Sequence, residues 1–113
     1  MPNISTNTAE QLLAKRDKKA IPHLEQYAPV WIVDQQLMLE EEAVQFNVLF
    51  LHPHAGAEDK AHWVNRRYRY DGFNDTLYHK GQTLVDEDDA VDTMDQEPYI
   101  NATVTDTPNS YGG

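Results

Sequence analysis

Three of the chain's five histidines and two carboxylates fall in one eleven-residue stretch, His52-Pro-His54-Ala-Gly-Ala-Glu58-Asp59-Lys60-Ala-His62. Imidazole and carboxylate are the usual ligands of zinc, iron, manganese and nickel, and His-x-His at a strand end turns both rings to one side. His52, His54, Glu58 and His62 are therefore the candidate ligands of a divalent transition metal. The same residues also read as a hydrated bend, with Pro53 fixing one turn, Gly56 another, and Glu58, Asp59 and Lys60 solvating the loop. Proline between the two histidines interrupts the geometry that would aim them together. The bend is the preferred expectation, with no cofactor.

The spacing His52, His54, Glu58, or H-x-H-x3-E, resembles the first half of the metal motif of cupins. Over these seven residues the resemblance implies an iron, manganese or nickel ion inside a small barrel, and a metal-dependent enzyme. The family's pattern adds flanking glycines and a second segment with a further histidine. Here Phe46 and Asn65 stand where those glycines would be, and His79 falls in a hairpin.

A second stretch, Trp63-Val-Asn-Arg-Arg-Tyr-Arg-Tyr70, interleaves cations with aromatic rings. On a strand, Asn65, Arg67 and Arg69 take one face, and Val64, Arg66, Tyr68 and Tyr70 the other. Alternating rings and charges suit single-stranded nucleic acid, but affinity for phosphates grows with the cations supplied. Three arginines beside nineteen acidic residues and a formal charge of -10 argue against that partner. Arg, Tyr and Trp are also the commonest protein-interface anchors. Trp63, Arg66, Arg67, Tyr68, Arg69 and Tyr70 are accordingly the candidate partner-binding residues.

Charge is segregated: residues 15–19 and 66–69 hold seven of the nine cations, whereas residues 84–113 hold eight carboxylates and no cation. That asymmetry suggests a protein partner with a partly basic surface. The first expectation is thus a small, non-enzymatic accessory or regulatory module that docks on a larger protein or complex, the second a metal-dependent enzyme using the histidine loop, and the third, which the charge permits, a nucleic-acid-mimicking inhibitor. The run Asp86-Glu-Asp-Asp-Ala-Val-Asp92 lacks the glycine and terminal glutamate of a calcium loop. Without cysteine there is no thiolate metal site, disulfide or cysteine nucleophile. No long apolar run or leader-like segment is evident, so no membrane association and a cytoplasmic location are expected.

Elements must place these residues. Thr8-Ala-Glu10-Gln11 reads as a capping box opening a helix over 9–19, and Pro22 suits the start of a short second helix that Pro29 stops. Val30 to His52 reads as two strands joined by Glu40-Glu41-Glu42, with Val44, Phe46, Val48 and Phe50 alternating along the second. Trp63 to Tyr70 follows as a strand, Asp71-Gly72 as a hairpin, Phe73 to His79 as its return, and Lys80-Gly81 as another turn into a strand Thr83-Leu84-Val85. Residues 85–95 read as a loop or a single helical turn, and Glu97 to Thr105 as an edge strand. The expectation is an α+β domain over residues 1–106, with helices on a mostly antiparallel sheet of five or six strands, and a flexible tail over 107–113. An open sheet edge would also allow a homodimer.

Overall fold

The computed structural model describes residues 3–101, with the side chains of residues 3–7 excepted. It is an α+β fold in which a helix lies across a four-stranded antiparallel meander. Helix α1 spans Asn3–Leu24, and strands β1 to β4 span Trp31–Met38, Ala43–His52, His62–Asp71 and Thr76–Leu84. A short helix α2, Glu87–Met94, closes one end of the opposite face. Among the described residues, no helix is long and apolar enough to cross a membrane.

The register follows the period-two alternation. Phe46 pairs with Tyr68, Val44 with Tyr70 and Phe50 with Val64, so the apolar side of β2 meets that of β3. Onto it α1 lays a stripe spaced by four residues, Leu12, Arg16, Ala20 and Leu24, all buried. Val30 and Ile100, bridged backbone to backbone, close the end of this core. The other face carries a smaller cluster, where Ala90 and Met94 of α2 pack against Trp31, Leu49 and Trp63. The Trp31 indole fastens it by donating to the Gln96 carbonyl at 2.9 Å.

Several expectations need correction. The sheet has four strands rather than five or six. Lys80-Gly81 is not a turn but the site of a bulge inside β4, which fuses two expected strands into one. Gly81 has φ +143°, a conformation that side chains disfavour, and the Arg67 guanidinium lies where its Cβ would be. Of the expected last strand, Ile100 makes only an isolated bridge to Val30; residues beyond 101, including the expected tail, lie outside the described chain.

The first helix is also longer than 9–19. Thr8 falls within it and not at its cap, and Pro22 lies in its last turn, removing one donor two residues before the helix ends. Only a 3-10 turn, Glu25–Tyr27, stands where the second helix was expected after Pro22. The acidic segment forms α2, because carboxylates Glu87, Asp88 and Asp89 in its first turn complement the positive end of the macrodipole. The hairpin after Asp71 is four residues long, with the Asp71 carboxylate accepting from the Phe73 and Asn74 amides.

Candidate functional site

Strand β3 divides the candidate residues between two environments. Arg66, Tyr68 and Tyr70 face α1 and are buried, while Trp63, Asn65, Arg67 and Arg69 line the opposite face. Tyr70 is wholly enclosed, and its hydroxyl donates to Asp75 at 2.6 Å. Burial, with that carboxylate beside it, pushes the phenol up to about 12. Asp75 also pairs with Lys19 at 3.3 Å, and the bonds from Tyr70 and Lys19 hold its carboxyl below the usual range.

On the outward face, Arg69 pairs with Glu41 at 3.0 Å and rests against the Met38 sulfur. Arg67 is exposed and, among the described residues, has no carboxylate partner; it lies along the backbone of Gly81. Four positions back on the same face, Trp63 sits against Trp31, their ring centres 6.2 Å apart. Trp63 lines a groove of about 280 Å³ with Leu51, Ala61, His62, Val85 and Glu87. The stripe therefore runs from an aromatic groove beside acidic α2 to a guanidinium that has no carboxylate partner among the described residues.

The inward half of β3 builds a cationic cluster at the end of α1. Arg66 is only 7% exposed. Its Nε donates to Gln82 Oε1 and its Nη1 to the Tyr68 hydroxyl, both at 2.8 Å. Its guanidinium lies over the rings of Tyr27, Phe50 and Tyr68 at 5.1–5.8 Å. Because Tyr68 accepts from Arg66, its own proton is available to His23 Nε2, 2.9 Å away. His79 packs on Tyr68 from β4, and His52 stacks on Tyr27. All three imidazoles are shifted below their ordinary 6.5, first by burial and then by the Arg66 charge. Lesser influences are His79 on His23, His54 and an opposing Asp59 on His52, and an opposing Gly81 backbone bond on His79.

The four candidate metal ligands occupy the end of the β2–β3 hairpin and its loop. His52 and His62 are cross-strand partners, but His52 Nδ1 accepts the His54 amide at 3.0 Å and His62 Nδ1 lies 2.9 Å from the Trp63 carbonyl. His54 faces Asp59 at 3.3 Å, and Glu58 faces Lys60 at 3.8 Å. The His52 and His54 rings are edge-on, 6.4 Å apart. Among the described residues, no group of three His, Asp or Glu is placed to hold one ion.

His23 and Gln82 were not singled out in the sequence. They come from α1 and β4, and only the strand register and the helix crossing bring them to Arg66, so no local spacing announces them. Arg16 was legible only as one of four cations; it is 4% exposed, bonded to Asp17 and Gln35 and packed over Phe46.

Together the elements define an α+β fold with α1 on one sheet face and, among the described residues, only α2 at one end of the other. No family model, curated protein or solved structure gives a significant match to the chain.

Proposed function

We propose that the chain is a small acidic accessory or regulatory module that docks on a larger protein through the outward face of β3. The observation that carries this is Arg67, an exposed guanidinium without a carboxylate partner among the described residues, lying over Gly81 on the same sheet face as the Trp63 groove. Arginine and tryptophan are among the side chains that dominate interface energies. The partner carries a partly basic surface, since Glu87 lines the groove and Asp88, Asp89 and Asp92 are exposed on the same helix α2. Those charges speed encounter and select the partner, while Trp63 and Arg67 hold it.

A photo-crosslinking side chain placed at Asn47, on the same face as Arg67, tests this in native extract. It should capture a protein that the same group at Lys18, on the exposed side of α1, does not. The captured protein, once purified, should bind Arg67→Glu at least about tenfold more weakly than the parent, as expected for an interface anchor. Equal capture from both positions, or unchanged affinity of Arg67→Glu, would overturn the proposal. Release of the captured protein by competing DNA would instead favour mimicry of nucleic acid by the acidic segment.

A further inference from the structure

Arg66 poses a separate question on the opposite side of the sheet. An enclosed guanidinium costs free energy unless a negative charge accompanies it, and unpaired buried charges are rare for that reason. This chain has nineteen acidic residues to choose from, yet among the described residues no carboxylate lies within ion-pair distance of Arg66. Its buried counterpart in the same core, Arg16, does have one: Asp17 at 2.8 Å. Neutral groups fix the Arg66 fork instead. Gln82 and Tyr68 take two of its five donors, the rings of Tyr27, Phe50 and Tyr68 hold its plane, and Nη2 has no hydrogen bond among the described residues.

Around it stand three imidazoles from three elements. His23 of α1 and His79 of β4 are exposed and flank Tyr68, with ring centres 5.6 and 5.7 Å from it. His52 lies on the far side, beyond Tyr27, where Asp59 partly offsets the positive field. The His23–His79 side has no such offset. The Tyr68 hydroxyl ties this side to Arg66: it accepts from Arg66 Nη1 and lies 2.9 Å from His23 Nε2.

We propose that the surface over Arg66, bounded by His23, His79 and Gln82, binds a small oxyanion, a carboxylate or a phosphate group. Bound there, the anion supplies the counter-charge that the fold withholds from Arg66 and accepts hydrogen bonds from a guanidinium already fixed in place. Because it lies within reach of both imidazoles, it also favours their protonated forms. Binding and histidine protonation are then linked, so affinity rises as the pH falls from neutral. This site and the outward face of β3 lie on opposite sides of the sheet, and either can fail without the other.

NMR titration of the histidine side chains tests the site, with inorganic phosphate and acetate as probes against chloride at matched ionic strength. The proposal requires saturable displacement of the His23 and His79 resonances and a rise in their titration midpoints by about one pH unit, as an opposite charge at close range produces. Tighter binding of phosphate would assign the site to phosphate groups, and tighter binding of acetate to carboxylates. Arg66→Met should abolish the effect. His79→Asn, at an exposed position, should retain the native spectrum and weaken the favoured anion at least about fivefold, which keeps the test decisive if Arg66→Met does not fold. Absence of saturable displacement with both anions, or undiminished binding by His79→Asn, would overturn the proposal.

Discussion

At the scale of single residues, the arginines show how one side-chain type serves three purposes. Arg67 projects from the sheet, Arg16 fills a core stripe position beside a carboxylate, and Arg66 is enclosed among rings with no carboxylate partner among the described residues. Period-two alternation separates Arg67 from Arg66 in the sequence itself. It does not say which face is closed, so a buried arginine and an exposed one look alike until α1 is placed. The histidines follow from Arg66. With folded-state values below the ordinary 6.5, His23, His52 and His79 take up protons more readily in the unfolded chain. Stability from this cluster is therefore complete above pH 6.5 and is lost as the pH falls below it. Thermal melts from about pH 7.5 down to about pH 5.5 should show a falling midpoint, and a shallower fall in His23→Gln. An identical slope in the variant would show that these imidazoles do not carry the dependence.

Among the elements, β2 and β3 were the most legible, because strict alternation fixes both their type and their facing sides. Strand β4 was not, since Lys80-Gly81 has the composition of a turn and yet sits in a bulge inside the strand, with the Arg67 guanidinium of the neighbouring strand over Gly81. Gly81→Ala places a methyl group at a φ of +143° and against that guanidinium, and urea denaturation should show a loss of about 1–3 kcal/mol. The bulge and Lys80 also make β4 a poor template for pairing with another strand, as exposed edges require. Helix α2 reads as no more than a loop or a single turn for a different reason: its acids outnumber its apolar residues, and only Ala90 is fully enclosed. Ala90→Asp would bury a charge at that contact and should release α2. A red-shifted tryptophan emission, as Trp31 and Trp63 gain access to water, would report it; unchanged emission would mean the contact does not hold the helix.

The whole molecule carries a charge of -10, and its ion pairs Lys19–Asp75, Lys60–Glu58 and Arg69–Glu41 are surface pairs of small individual worth. Self-repulsion then outweighs them at low ionic strength. Raising salt from about 10 mM to about 0.15 M shortens the screening length from about 30 to about 8 Å, and the melting midpoint should rise. A fall would mean that the pairs, taken together, dominate. The same charge bears on docking, where salt should slow association with a basic partner more than it speeds release. Whether recognition resides on the outward face of β3 is decided by the dissociation constant of the purified complex for Arg67→Glu and for Lys18→Glu. A loss of at least about tenfold is expected for the first and of less than about twofold for the second. Equal effects from both, or none from Arg67→Glu, would place recognition elsewhere.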